Sequence, residues 1–315
     1  MLLRAIPDLA TLPGPVYLAI GVFDGVHLGH CSVLLRALAD ARAGGGSAVA
    51  VTFDPHPAKI LRPAAPPRLL TATAHKLRLI RALGIESILV IPFTPAFAAT
   101  PPEDFVLQLH AACRPLREIC VGHEWSFGRG RAGNLEMLRQ MGDRLGFDEV
   151  GVPAVRIDGE IVSSTAIRAA VEAGDLTRAC LLLGRHYSIL GTVVRGNQIG
   201  RSLGFRTANL SAHNEQFPAN GVYAVTALWR DVPLKGVVNL GLRPTIGSAT
   251  GERILELHLL DFDQDIYGED IEVTFLHCLR PEQKFSSLEA LKAQIAQDVA
   301  EARRVLGAGH WRELH

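Results

Sequence analysis

From Val16 to about Val152 the chain alternates short apolar runs with stretches in which apolar residues return every three or four positions. The runs Val16–Ile20, Ala48–Phe53, Ser87–Ile91 and Ile119–Val121 read as strands, and Val33–Ala41, Lys76–Leu83, Glu103–Ala112 and Leu135–Leu145 as the helices after them. This alternation predicts parallel βα units, because parallel neighbours need a crossover and the crossover helix covers the sheet. Gly44-Gly45-Gly46 is expected to end the first helix, and Thr100-Pro101-Pro102-Glu103 has the spacing of a capping box opening another. Open parallel sheets bind ligands beyond the carboxyl ends of their strands, so the loops after the runs are where chemistry is expected.

Beyond Leu183 the texture changes. Ile189–Val194, Val222–Trp229, Leu234–Leu240, Ile254–Leu260 and Ile271–Phe275 read as strands separated by Gly, Pro and Asn turns. In the last of them Ile271, Val273 and Phe275 alternate with Glu272 and Thr274, the signature of a half-buried strand. An amphipathic pattern from Ser287 through Leu291, Ile295 and Val299 to Leu306 predicts a long closing helix. The expected fold class is therefore α/β. A parallel-sheet domain over 1–183 precedes a small β-barrel-like domain over 184–315, with the boundary at Gly184-Arg185-His186-Tyr187.

Composition narrows the function classes. Lys+Arg and Asp+Glu both number 32, for zero formal charge, so no large nucleic-acid footprint is expected. Five scattered cysteines, Cys31, Cys113, Cys120, Cys180 and Cys278, lack metal-ligand spacing and read as reduced structural thiols. Arg4, Pro7, Asp8 and Pro13 interrupt any apolar core of a secretory signal, and no window approaches about 18 continuous apolar residues. A cytoplasmic protein without a membrane partner is the expectation; oligomeric state is not legible.

Five segments carry candidate chemistry. Gly21-Val22-Phe23-Asp24-Gly25-Val26-His27-Leu28-Gly29-His30 runs from a strand into a helix and places two imidazoles one turn apart at the helix N-terminus, where free N–H groups attract anions. A simple helix cap with two solvated histidines answers the same pattern. A metal site from Asp24, His27 and His30 is disfavoured, since no companion zinc spacing exists. Val162-Ser163-Ser164-Thr165-Ala166-Ile167-Arg168 offers three hydroxyls and a cation at another helix start, a second phosphate cradle or an ordinary cap. The glycine-rich loop from Gly122 to Asn134 holds Glu124, Trp125 and Phe127, and Asp54-Pro55-His56-Pro57 is a turn after a strand. The aromatics offer a stacking face or belong to the core. In the second half, Gly196, Gly200 and Gly204 recur at spacing four ahead of Thr207 and Asn209, but the loop lacks the P-loop ending. Glu256, flanked by Leu255 and Leu257, is either a proton acceptor or a water-facing strand residue.

In this order, over Val16 to Leu306, these segments resemble the bifunctional bacterial riboflavin kinase/FMN adenylyltransferase (FAD synthetase) family. The resemblance implies a Rossmann-like nucleotidyltransferase domain and a riboflavin kinase barrel, with riboflavin, FMN, FAD and ATP as partners and Mg²⁺ as cofactor. It implies that Glu256 is the base of riboflavin phosphorylation, and that Thr207 and Asn209 hold Mg²⁺ and phosphate beside Gly200 and Gly204. For adenylylation it implies that His27 and His30 stabilise the reacting phosphates, with Gly21, Phe23, Asp24, Gly29, Ser163, Ser164, Thr165 and Arg168 binding ATP. His56, Glu124, Trp125 and Phe127 are the flavin-binding expectation. The chain departs from the family pattern at Arg206, where proline is usual, at Glu124 and Trp125, where Asp or Asn and Phe are usual, and at His186. Two alternatives follow: adenylyl transfer alone, because Arg206 disturbs the kinase loop, or a flavin-binding regulator that turns over nothing.

Overall fold

The computed structural model describes residues 1–195, 205–243 and 252–307. They form two compact units, one of Met1–Arg68 with Thr73–Ser164, the other of Leu69–Ala72 with Thr165 onward.

In chain order the first unit contains β1 (Leu2–Leu3), β2 (Val16–Ile20), α1 (Leu28–Ala43), β3 (Ser47–Asp54), α2 (Pro57–Leu61), α3 (Thr73–Ala82), β4 (Ser87–Pro92), α4 (Pro95–Ala98), α5 (Pro102–Ala112), β5 (Leu116–Gly122), α6 (Leu135–Leu145) and β6 (Asp148–Val152). The six strands form one parallel sheet in the order β1-β4-β3-β2-β5-β6. After β2 the chain builds outward on one side through β3 and β4, then returns to add β5 on the other. The switch point therefore lies between the carboxyl ends of β2 and β5. Alternate residues of β2 feed different cores: Leu18 and Ile20 pack with Phe105, Leu109 and Leu138 on one face, and Ala19 with Val33, Leu34 and Ile80 on the other. Both faces are covered, which is why these strands read as unbroken apolar runs.

The helix ends follow local chemistry. Asn134 caps α6 by accepting from the Met137 N–H at 2.9 Å, and Gly146 closes it in the left-handed region. The capping box expected at Thr100–Glu103 does not form. Pro101 is the cap residue of α5, makes no side-chain cap bond, and the Thr100 carbonyl instead accepts from the Arg129 N–H at 2.8 Å. Two short strands, β7 (Arg156–Ile157) and β8 (Glu160–Ile161), form a hairpin before α7 (Ser164–Ala173).

The second unit continues with α8 (Leu176–Leu183), β9 (Ser188–Val194), β10 (Ala208–Ala212), β11 (Gly221–Trp229), β12 (Val232–Arg243), β13 (Glu252–Leu259), β14 (Asp270–Pro281) and α9 (Leu288–Gly307). Its strands close into an antiparallel barrel in the order β10-β13-β12-β11-β14-β9. Val222, Ala224 and Val237 present an apolar patch that Ala302 and Leu306 of α9 cover. At the patch edge the Arg280 guanidinium donates to both oxygens of Asp298, at 2.8 to 3.1 Å, and Gln294 adds a bond at 3.0 Å. The Asp298 side chain is only 6% exposed, so this pair fixes the helix on the barrel from inside.

Candidate active sites

The turn after β2 is strained in a way ordinary connections are not. Phe23 and Val26 have φ of 53° and 41°, a region costly for a β-branched residue. Neighbours hold the turn in place. Thr52 Oγ1 donates to the Val22 carbonyl at 3.0 Å, and Ser164 Oγ donates to the Asp24 carbonyl at 2.9 Å. The result brings His27 to the N-cap of α1, where its Nδ1 accepts from the His30 N–H at 3.3 Å. The cap is thus real, and it fixes the tautomer. An imidazole that accepts at Nδ1 carries its proton on Nε2, so that nitrogen is the donor. His27 is 5% exposed and stacks on His30, ring centroids 3.6 Å apart, while the buried Phe23 ring meets His30 edge-on at 5.4 Å. Phe23 therefore supports the site through packing. Gly29 is required by contact: a Cβ there lies 3.2 Å from His27 Cε1 and 3.3 Å from Nδ1.

Ser163 and Ser164 are half-buried and close the segment in the first unit, with the Ser164 hydroxyl on Asp24 rather than on its own helix. Thr165 and Arg168 follow in the first turns of α7, exposed and half-buried respectively, within the second unit.

A cavity of about 710 Å³ opens at the same end of the sheet. Val22, Phe53, Phe93 and the loop after β5 line it, and all four expected flavin contacts, His56, Glu124, Trp125 and Phe127, lie on its wall. Trp125 and Phe127 stack with centroids 4.4 Å apart and planes within 13°. Phe127 is at once core and wall, joined through Phe105 and Phe97 to Phe53. The loop turns sharply at Gly128 (φ +72°), where a Cβ would meet Pro102 at 2.7 Å. His56 caps α2 through Nδ1, accepting from the Ala58 N–H at 3.1 Å.

In the barrel, Glu256 pairs in register with Asn209 on β10 and with Asn239 on β12. Directly paired residues share a face, so an amide, a carboxylate and a second amide form a row across three strands. Leu255 and Leu257 point the other way and are fully buried, whereas Glu256 is half-buried. Thr207 and Arg206 line a second cavity of about 310 Å³ with Leu257, Phe262 and Tyr267. Arg206 is 65% exposed, ion-paired to Asp263, and its carbonyl accepts from the His258 Nδ1–H at 2.8 Å. Gly200 and Gly204 lie outside the described residues.

Two site neighbours escaped the sequence reading. Asn239 carried a signal, an amide inside the apolar run Val237-Val238-Asn239-Leu240; Lys76, in a helix that reads as ordinary, carried none. Among the described residues no group of three or more His, Cys, Asp or Glu is placed to hold a metal ion, and no helix is long and apolar enough to cross a membrane. None of the five cysteines is in a disulfide; burial pushes the thiols of Cys113 and Cys120 up to about 12, so neither supplies a thiolate near neutral pH.

A phosphate-type turn at the switch point of a parallel sheet, in one chain with a closed barrel that aligns a carboxylate between two amides, defines a two-domain phosphate-transferring protein. A family model for FAD synthetase matches residues 10–166, and one for riboflavin kinase matches 183–306. Over 308 residues the chain is 37% identical to the bifunctional riboflavin kinase/FMN adenylyltransferase of Escherichia coli, covering 97% of this chain and 98% of that protein. Its identity to the Haemophilus influenzae protein of the same description is 36%, over 91% of this chain and 92% of that one. A crystal structure described as a macrolide-efflux protein from Streptococcus pneumoniae is 28% identical with a TM-score of 0.82, covering 96% of this chain and 98% of that one. The chain belongs to the bifunctional riboflavin kinase/FMN adenylyltransferase family.

Proposed function

We propose that this chain makes FAD from riboflavin in two ATP-consuming steps in the cytoplasm, the barrel domain (184–315) forming FMN and the parallel-sheet domain (1–183) converting it to FAD. In the first step Glu256 accepts the proton of the ribityl 5′-hydroxyl as its oxygen bonds to the γ-phosphorus of ATP and ADP leaves. The row on β10, β13 and β12 supports this role, because the strand register puts the carboxylate on the same face as both amides. Thr207 and Asn209 would hold Mg²⁺ there. Hydroxyl and amide oxygens are the hard donors that ion takes, with phosphate and water completing its shell, and it would neutralise phosphate charge.

In the second step an FMN phosphate oxygen attacks the α-phosphorus of ATP and pyrophosphate leaves. His27 Nε2–H and His30, at the positive end of α1, donate to the oxygens that gain charge. The turn from Gly21 through Asp24 and Gly29 gives phosphates backbone access, and Ser163, Ser164, Thr165 and Arg168 bind the nucleotide's phosphates. Trp125 and Phe127 cover the isoalloxazine, with Glu124 and His56 at its polar edges. The observation that carries this reading is the cavity wall: four residues chosen from two distant segments line one space beyond the strand ends.

Incubation of the full chain with riboflavin and MgATP, followed by flavin separation, is expected to give FMN and then FAD. Riboflavin recovered unchanged, with FMN also unconverted, would overturn the proposal. Adenylyl transfer alone remains the second reading because of Arg206, and FAD formed from FMN but never from riboflavin would select it. The match of a riboflavin kinase family model to the second half, beside the FAD synthetase model on the first, favours the two-step enzyme. Flavin binding with no ATP consumed would select the regulator.

A further inference from the structure

Beneath the turn after β2 sits a cation the reaction scheme above does not use. Lys76, on α3, is 5% exposed. Its Nζ donates to the Val22 carbonyl at 3.1 Å, to Thr52 Oγ1 at 3.0 Å and to the Phe53 carbonyl at 3.4 Å. One of these oxygens belongs to the turn that carries Asp24 and His27, and the other two to the end of β3. Thr52 closes the triangle by donating to the same Val22 carbonyl. An ammonium with three acceptors is a three-way tie, and here it joins two adjacent strand ends at the sheet's ligand side. The turn it holds includes Phe23 at φ 53°, which needs outside support to persist.

We propose that Lys76 is a positioning residue for adenylyl transfer, its ammonium holding the Gly21–Asp24 turn in the shape that brings His27 to the reacting phosphates. This rests on the reading of the first unit as the FMN adenylyltransferase. Neutral Lys76 has two N–H donors and one lone pair, so the Thr52 hydroxyl must turn to donate to Nζ and gives up its bond to the Val22 carbonyl, which costs the turn one of its ties.

The charged groups facing Nζ are Asp24, from the turn, and Asp54, from the end of β3, and both favour the ammonium. Burial opposes them and prevails, bringing the group down from 10.5 to about 8. At pH 7 the tie is therefore charged, and it is lost as pH rises through about 8. Stability moves the other way. A group whose folded value lies below its unfolded one binds more protons when unfolded, so this lysine's contribution to folding rises with pH between about 8 and 10.5. Deprotonation of this lysine therefore does not itself weaken the fold.

The test measures kcat for FAD formation from FMN and ATP between pH 6.5 and 9.5, in the full chain, for the wild type, Lys76→Met and Lys76→Arg. The expected wild-type profile falls as pH rises through about 8, the value the buried ammonium takes. Lys76→Met, similar in length but uncharged, is expected to lower kcat at pH 7 on the order of 10²-fold, the effect of a misplacement of about 1 Å, and to lose the alkaline fall. Lys76→Arg, which does not titrate in this range, is expected to recover part of the activity with a flat profile. A thermal melt of the same preparations followed by circular dichroism reports the fold of the first unit, and riboflavin phosphorylation, carried by the other unit, is expected to stay within about twofold. Overturning results are a Lys76→Met enzyme within threefold of wild type, the same alkaline fall in the variants, or a flat wild-type profile. Should Lys76→Met lose both activities, the wild-type and Lys76→Arg profiles decide. Failure of the wild type to make FAD at any pH would instead refute the parent reading.

Discussion

Substituting Gly29 by alanine separates stability from catalysis at the first site. Gly29 is the second residue of α1, and the added methyl would sit 3.2 Å from Cε1 and 3.3 Å from Nδ1 of His27. Those contacts are closer than ordinary van der Waals approach, so the imidazole must retreat by a few tenths of an ångström. The ring has little freedom, being stacked at 3.6 Å on His30 and bonded to the His30 N–H at 3.3 Å. Its retreat lengthens an already long cap and shifts the Nε2–H proposed to donate to the phosphates. Full removal of such a donor costs about 10²–10³-fold in rate, so partial displacement is expected to cost roughly 10–10²-fold, or about 1.4–2.7 kcal/mol. Folding changes less. Alanine gains up to about 1 kcal/mol over glycine in a helix, against about 0.5–2 kcal/mol for a cap wholly lost. The assay is FAD formation at saturating FMN and ATP, alongside riboflavin phosphorylation and a urea melt. Activity within threefold of wild type, with the stability change as estimated, would show that the His27 ring position does not govern adenylyl transfer.

Glu256→Gln is expected to lower riboflavin phosphorylation by roughly 10²–10⁴-fold while FMN-to-FAD conversion stays within twofold, and equal loss of both would mean disruption of the fold. Trp125→Ala removes the outer ring of the stacked pair and is expected to raise the KM for FMN by about tenfold without changing that for ATP, read from initial rates with each substrate varied. Asp298→Ala takes the carboxylate from the half-buried Arg280 guanidinium, which keeps its bond to the Pro281 carbonyl, and denaturant unfolding of the barrel is expected to show a loss of about 1.5–3 kcal/mol.

Most strands were legible because burial on both faces, or strict alternation, writes itself into composition. Val16–Ile20 coincides with β2, and Leu135–Leu145 with α6. The elements that escaped are those whose pattern is weak. Asp148–Val152 opens on two acidic residues at a sheet edge, and Ala208–Ala212 mixes small and polar residues because its pairing partners, not its own side chains, make it a strand. The capping box failed because a residue before proline is kept out of the helical region, so Pro101, ahead of Pro102, takes the cap position from Thr100. For the sites, the motif residues were legible as types at fixed spacing, and the cavity wall was foreseen from His56 and the loop after β5. What could not be read was the support beneath them. Lys76 looks like any surface lysine until α3 packs, and the Glu256–Asn209 pairing joins β13 to β10, strands that are not consecutive in the chain, so barrel topology rather than nearby sequence makes it.

That pairing makes strand alignment itself a catalytic variable. Inserting one residue into β13 ahead of Glu256 would present a leucine side chain between the two asparagines and send the carboxylate into the apolar interior. Drift in length should accordingly be confined to the connections between staves, and a single added residue within this one should silence phosphorylation even where the protein still folds.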